Sequence, residues 1–302
     1  MTLHLKGTGS HTASGKPVAK YKWTVKQPTG SNQPLLPDAH QAEVELHAQA
    51  SGEYEFCLEV WDSSGWKSCQ PACETVLVIP GNAIYLELTW DTPKDADQSD
   101  NGPGAGADLD LHFAHPLASQ PDQDCDGKAD PWFDNPWTMF WFNPIPAWGD
   151  PGSILDDPNM DLDDTDGAGP EIMNMQMPEG TEAAPVAYSI GVYYSDDHGF
   201  GQSYATVRVF LQGGLAVEVS KVKLKAQDMW YVGKLNWPNS MSGGSASLFE
   251  ACHQSGLSCQ AGKNLMWQPK GEWCITPCYT PPPGSGAIPA KLPGAATCTA
   301  GP

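Results

Sequence analysis

Basic residues are scarce in this sequence. Its 302 residues include 16 Lys and Arg against 36 Asp and Glu, for a formal net charge of −20. A chain with this charge is repelled by phosphate backbones, so we expect no nucleic-acid partner. Neither a signal peptide nor an apolar run of membrane-spanning length is visible, so we expect no direct membrane insertion.

The short motifs of common enzymes are also missing. No G-x-S-x-G, H-E-x-x-H or C-G-x-C-W occurs, and no glycine-rich loop has the form that binds nucleotide phosphates. A pair of carboxyl groups, one acting as acid and one as base, can hydrolyse glycosides. Here the aspartates and glutamates instead recur at many closely spaced positions. We therefore expect no catalytic activity.

Helical periodicity is hard to find, whereas alternating apolar and polar residues are abundant. This pattern predicts an all-β chain of two tandem β-sandwich domains plus a Cys/Pro/Gly-rich tail. The expected ranges are 1–80 for the first sandwich, 81–240 for the second and 241–302 for the tail. Because the sequence alternates like a strand from its first residues, we expect it to begin inside a larger secreted precursor.

The clearest strand of the first domain is GEYEFCLEVW, whose apolar residues alternate from Tyr54 to Val60. A turn about residues 63 and 64 would bring Cys57 nearly opposite Cys69, so we expect a disulfide between them. Together with GTGSHTASGKPVAKYKWTV, the stretch GEYEFCLEVWDSSG resembles a polycystic-kidney-disease (PKD) repeat, an immunoglobulin-like sandwich of bacterial surface proteins. The W-D-F-G-D-G continuation of that family is replaced here by residues 23–31.

Alternating segments also predict the strands of the second domain. They are AIYLELTWD, VAYSIGVYYS, TVRVFLQGGLAVEV and DMWYVGKLNW. The third is expected to be a hairpin about Gly213 and Gly214, because such a pair tolerates the positive φ of a tight turn.

Nine cysteines are present, and five of them fall in the last 51 residues among Pro and Gly. Their spacing fits no common zinc motif, so we expect disulfides in an oxidising compartment. Beyond Cys57 and Cys69, the candidates in the tail are Cys252, Cys259, Cys274 and Cys278. The odd count leaves one thiol free or paired outside the chain.

Negative charge is concentrated in residues 91–171, which hold 19 acidic residues and two lysines. In the strand ADLDLHF, Asp108 and Asp110 share one face with His112. Their carboxylates would lie about 7 Å apart and repel each other unless a cation lies between them. Both aspartates are therefore candidate metal ligands.

A second acidic stretch, DQDCDGKAD, reproduces the spacing of a calcium loop. It resembles the loops of EF-hands, dockerins and thrombospondin type 3 repeats, with Gly127 at the bend. The resemblance implies side-chain ligands at Asp122, Asp124, Asp126 and Asp130, and the carbonyl of Lys128. The last position of the loop is Phe133 rather than Glu, so a carboxylate from elsewhere, such as Asp108 or Asp110, would complete it. The alternative is a solvated turn.

A third stretch, DDPNMDLDDTDGAGPE, offers further hard oxygen ligands and no His or Cys, which favours calcium over zinc or copper. The candidate ligands are Asp161, Asp163, Asp164, Asp166 and Glu171. The alternative is a disordered acidic loop.

The second domain as a whole is similar to a bacterial secreted β-sandwich domain. The matching residues are Thr89–Asp91, 108–112, 163–171 and 191–194. The resemblance implies a sandwich carried by surface proteins, with no assigned catalysis.

Aromatic residues crowd the loop 131–148, among them Trp132, Trp137, Trp141 and Trp148. Exposed tryptophans there could stack on sugar rings. The interpretation that we favour is that these rings cover the core beneath a long loop.

These features predict a calcium-stabilised structural or adhesive module of a secreted or cell-surface protein. Its cofactor would be Ca²⁺, and its partner an unidentified extracellular protein or glycan. One alternative is a carbohydrate-binding module that uses the loop 131–148. Another is an accessory domain of a secreted hydrolase.

Overall fold

The computed structural model describes residues 1–13, 15–28, 31–100, 102, 104–123, 128–165, 167–238 and 274–283. The predictions made for Asp124, Asp126, Asp166, Cys252 and Cys259 lie outside these residues. The all-β prediction is confirmed, since every regular element in the described ranges is a strand. Nothing helical there has the length and apolar character needed to cross a bilayer.

By their contacts, the residues fall into two compact units, Met1–Ile79 and Pro80–Pro302. The strands of the first unit are β1 (Thr2–Lys6), β2 (Val18–Lys26), β3 (Glu43–His47), β4 (Gly52–Asp62) and β5 (Ala72–Val78). They form a two-stranded sheet, β1-β3, and a three-stranded sheet, β2-β4-β5. The core between them is built from alternate residues such as Val44, Leu46, Tyr54 and Phe56.

The disulfide predicted between Cys57 and Cys69 is wrong. Cys57 is bonded to Cys73, and Cys69 is exposed and free. Next to the turn, Trp61 faces Lys67, but further along the ladder Cys57 faces Cys73, a register shifted by two residues. Pro71 lies between these two parts of the ladder and has no N–H to donate, so the pairing is interrupted there.

The second unit contains two five-stranded sheets. Its strands are β6 (Ile84–Asp91), β7 (Asp108–Ala114), β8 (Thr138–Met139), β9 (Asn159–Leu162), β10 (Glu171–Met175), β11 (Val186–Asp196), β12 (Ser203–Leu211), β13 (Gly214–Leu224), β14 (Met229–Trp237) and β15 (Cys274–Thr276). One sheet has the order β13-β12-β6-β10-β9, and the other has the order β15-β14-β11-β7-β8. Apolar residues from both sheets share one buried core, so the unit is a sandwich.

The hairpin between β12 and β13 turns one residue earlier than predicted. Leu211 pairs with Gly214, so the turn consists of Gln212 and Gly213. Both have positive φ, 50° and 83°, as a tight hairpin turn of the primed type requires. In the tail, Cys274 and Cys278 are each disulfide-bonded.

Candidate metal centre

The candidate site lies along one edge of β7. On its other edge β7 pairs with β11, whereas β8 covers only Phe113 and Ala114. Along the rest of this edge, the backbone groups of β7 are hydrogen-bonded by other parts of the chain. Ala107, just before β7, bridges to Gly167, and the Leu111 N–H donates to Glu171 Oε2 at 2.5 Å. A carboxylate from the opposite sheet thus occupies the position that a strand carbonyl would take.

Strand β7 is buried on both faces. Leu109 and Leu111 point into the core of the sandwich, as predicted. The opposite face, with Asp110 and His112, is buried as well, because the aromatic loop lies over it. The alternating sequence pattern predicted that the side chains of β7 point to two opposite faces. It did not predict that both faces would be buried.

Three carboxylates meet at this edge. Asp110 comes from β7, Glu171 begins β10, and Asp163 follows the end of β9. One oxygen from each lies within 4.8 Å of the others. Asp110 and Glu171 are buried, whereas Asp163 is exposed and leaves the group open to solvent. We call these three residues the acidic cluster.

Several oxygens here have no hydrogen-bond partner. They are Asp108 Oδ1, Asp110 Oδ2 and Glu171 Oε1, all of them buried. Within the described residues, no ion pair involves Glu171. A buried ionised carboxylate without a partner is costly, so a cation or a proton must compensate these groups.

The pKa values of these carboxyls reflect the same cost of burying negative charge. Burial raises the pKa of Asp110 and of Glu171 well above the usual range, and neighbouring carboxylates raise both further. Burial and Asp163 also raise the pKa of Asp108 to about 7. Without a metal, the cluster would therefore hold protons near neutral pH.

The geometry fits a hard divalent cation. Calcium lies about 2.3–2.6 Å from each oxygen ligand, so two ligands of one ion can be up to about 5 Å apart. The spacing within the acidic cluster therefore allows one ion to contact all three carboxylates at once. A second group of potential ligands, Glu55 with Cys57 and Cys73, is not comparable, because its two sulfurs form the disulfide.

Sequence reasoning named every member of the acidic cluster but grouped them differently. A carboxylate such as Asp108 or Asp110 was expected to complete the loop 122–130, whereas Asp110 lies with residues of the third acidic stretch. Asp161 is not part of the cluster, because its oxygens accept hydrogen bonds from the amides of Asn159 and Asn174.

The described part of the loop 122–130 contributes no ligand to the cluster. Asp122 and Lys128 are exposed. Asp130 is buried, and its Oδ2 accepts hydrogen bonds from the Gln123 N–H and the Tyr279 hydroxyl, both at 2.9 Å. This carboxylate thus ties the loop to the tail.

The loop that contains Asp163 is closely packed. The Oδ2 of Asp164 lies 3.0 Å from where a Cβ at Gly167 would be. The backbone of this loop also pairs with the neighbouring strands, since Trp90 N–H donates to the carbonyl of Ala168. Any side chain at position 167 would push Asp164 away.

Sequence reasoning missed the last residues of β11 and the turn that follows them. Asp196 pairs in register with Asp108, and its charge helps to raise the pKa of Asp108. Ser195 and His198 act in the opposite direction and lower that pKa. The signal was present in the acidic stretch SDDHG, whose first two residues end β11, the strand that pairs with β7.

The predicted sugar-stacking tryptophans are not displayed together. Trp132 and Trp148 are buried, and Trp137 and Trp141 are half-buried. Instead the loop encloses His112, whose ring stacks on Phe140 at 5.3 Å. The favoured interpretation, in which these rings cover the core, matches this packing.

No protein-family model matches the chain, and no curated protein is significantly similar to it. What the chain does must therefore be inferred from its own residues.

Proposed function

We propose that the second unit binds Ca²⁺ at Asp110, Asp163 and Glu171, and that the ion holds the sandwich in its folded form. The observation that carries this proposal is the acidic cluster: its two buried members have unpartnered oxygens, and among the described residues none of its carboxylates forms an ion pair with a basic side chain. Asp108 lies close enough for its pKa to respond to Asp163 and is a further potential ligand.

Calcium is preferred because every available ligand is a carboxylate oxygen. Zinc and copper favour nitrogen and sulfur ligands, and neither occurs in the acidic cluster. Magnesium needs a nearly ideal octahedron and dehydrates reluctantly, whereas calcium accepts irregular arrangements. The cluster joins two strands and a loop, which is an irregular arrangement.

The role that follows is a structural or adhesive module of an extracellular protein. The Cys57–Cys73 disulfide and the bonded cysteines of the tail suit an oxidising compartment. Extracellular calcium is millimolar. With a Kd near 10 μM, a filled site would add about 2.7 kcal/mol to the free energy of unfolding. The likeness of the first unit to PKD repeats favours the same location.

The test is thermal unfolding of the full chain in 1 mM calcium and in EDTA, with Tm measured by calorimetry. We expect a clear rise in Tm with calcium and a smaller rise with magnesium. Glu171→Gln should abolish the rise, because one buried ligand loses its charge. The matched control is Glu55→Gln on the exposed face of β4, which should keep it. Equal Tm in calcium and EDTA for the unchanged chain would overturn the proposal.

A further inference from the structure

A groove runs along the outer face of β11 and β14, away from the core. Alternate residues of β11 point outward here, and three in succession are small: Ala187, Ser189 and Gly191. Small side chains on a central strand leave a trough between their taller neighbours.

One end of the trough is filled by the chain itself. A Cβ at Gly191 would lie 2.6 Å from the ring of Trp132 and equally close to Met229. The indole therefore lies directly on the backbone of Gly191, and Tyr231 meets its edge at 5.7 Å between ring centroids. The trough is thus already shaped to hold a planar ring.

The other end of the trough is open. Over Ala187 and Ser189 it forms a groove of about 230 Å³, walled by His115, Tyr231 and Lys234. This volume is smaller than the roughly 300–1,000 Å³ of pockets that take drug-sized molecules. The occupant that fits is a single small ring.

The charge lining the groove differs from that of the surrounding unit. Residues 91–171 contain only two lysines, and one of them, Lys128, lines this groove together with Lys234. The Ser189 hydroxyl and the Asp130 carboxylate add hydrogen-bonding groups to the same wall. The groove thus combines aromatic edges, positive charge and both donors and acceptors.

We propose that this groove binds one sugar-acid ring, a pyranose that carries hydroxyls and a single carboxylate. The ring would lie over Ala187 and Ser189 against Tyr231, in line with the indole of Trp132. Its carboxylate would face the lysines, and its hydroxyls would bond Ser189 and Asp130. A long polyanion would be repelled by the acidic unit, so the ligand is a monosaccharide or a chain end.

The test uses sodium glucuronate as probe, with glucose and benzoate as comparison ligands. Binding to the full chain in 1 mM calcium is followed by ligand-observed NMR titration. We expect saturable binding of glucuronate, weaker binding of glucose, and no binding of benzoate, which lacks hydroxyls. Absence of saturable glucuronate binding, or binding of benzoate as tight as that of glucuronate, would overturn the proposal.

Variants locate the site. Ala187→Leu fills the trough and should weaken glucuronate binding at least about tenfold. The control is Ala183→Leu, on the exposed turn just before β11, which should bind normally. Lys234→Met should weaken glucuronate roughly tenfold and leave glucose unchanged. Melting curves establish that each variant folds, and unaltered affinity in Ala187→Leu would contradict the assignment.

The groove is independent of the acidic cluster. Glu171→Gln should therefore retain glucuronate binding at a temperature where this variant is folded. Loss of binding in the folded variant would mean that glucuronate reaches the protein through the ion, and would also overturn the proposal.

Discussion

Glu87 and Glu171 are both completely buried glutamates, 0% exposed, on the adjacent strands β6 and β10 of one sheet. Glu87 points outward and meets Arg208 of β12, whose Nη1 donates to it at 2.8 Å. Glu171 lies on the same face of β10 as the core residues Met173 and Met175, and it meets Asp110 and Asp163. The same side chain at the same depth is thus balanced by a cation in one place and crowded by acids in the other.

The difference shows how this chain compensates buried charge. Arg208 is its only arginine, and it serves Glu87 and, at 3.0 Å, Glu218. Among the residues that the structure describes, none supplies the acidic cluster with a corresponding cation, so an ion or protons from solution are the compensation that we propose. Four perturbations test whether the two glutamates differ in this way.

The largest effect is expected from Arg208→Gln. It leaves Glu87 buried without its cation, which typically costs about 3–5 kcal/mol of unfolding free energy. The loss should be equal in calcium and in EDTA, because this ion pair is complete within the protein. Urea unfolding in both conditions measures it. Glu218→Gln, which removes only the exposed partner, should change stability much less.

The next effect is pH dependence in EDTA. The carboxyls of Asp108, Asp110 and Glu171 have raised pKa values in the folded chain, so stability falls as pH rises above their unfolded values. Each proton held only by the folded chain contributes about 1.4 kcal/mol per pH unit.

Two buried histidines act in the opposite direction at lower pH. Burial lowers the pKa of His112 to about 3 and that of His115 to about 4. Below about pH 6.5 the unfolded histidines gain protons that the folded ones do not, which offsets the carboxyls. The histidines therefore do not obscure the effect of the carboxyls between pH 6.5 and 8. As pH rises through this range, Tm in EDTA should fall, and calcium should restore it. A Tm in EDTA that rises across this window would rule out the raised carboxyl pKa values.

A smaller effect, on calcium affinity, should distinguish Asp163 from Asp161, which lies two positions earlier in the sequence. Asp163→Asn removes a ligand and should weaken calcium binding at least about tenfold, or about 1.4 kcal/mol. Asp161→Asn should leave it nearly unchanged, because Asp161 is bonded to Asn159 and Asn174. Calcium titration by calorimetry gives both constants. Equal losses would mean that the whole acidic stretch, and not the cluster, attracts the ion.

The smallest effect is expected from His112→Leu. Both ring nitrogens of His112 are buried without a hydrogen-bond partner, so an apolar residue of similar size should raise stability by about 1 kcal/mol. The gain should be the same with and without calcium, as measured by urea unfolding. A loss of calcium binding in this variant would give the imidazole a role that its contacts do not show.

Much of the fold could be predicted from alternation. Strands such as β4, β6 and β11 place their apolar residues on one face as the sequence indicates, because a period of two fixes which side chains share a face. The pairing of Cys57 could not be predicted, since Pro71 shifts the ladder after the turn. The β12–β13 turn was predicted one residue too late, because Gln212, and not Gly214, takes the second positive φ of the turn.

The members of the candidate site could be predicted, but their grouping could not. Glu171 and Leu111 are 60 residues apart and belong to different sheets, so nothing local in the sequence joins them. Because of the calcium-loop spacing, the prediction assigned a carboxylate such as Asp108 or Asp110 to the loop 122–130. In the structure, Asp130 is instead held by the Tyr279 hydroxyl, a contact 149 residues away along the chain.

The carboxylate on the edge of β7 has one more consequence. An uncovered strand edge is a template on which another polypeptide can add and begin a fibrillar assembly. Glu171 occupies the Leu111 amide that an incoming strand would need. Displacement of Glu171 would therefore expose a nucleation point for self-association. If the proposed ion holds Glu171 in place, light scattering of the metal-depleted chain should rise before its melting transition.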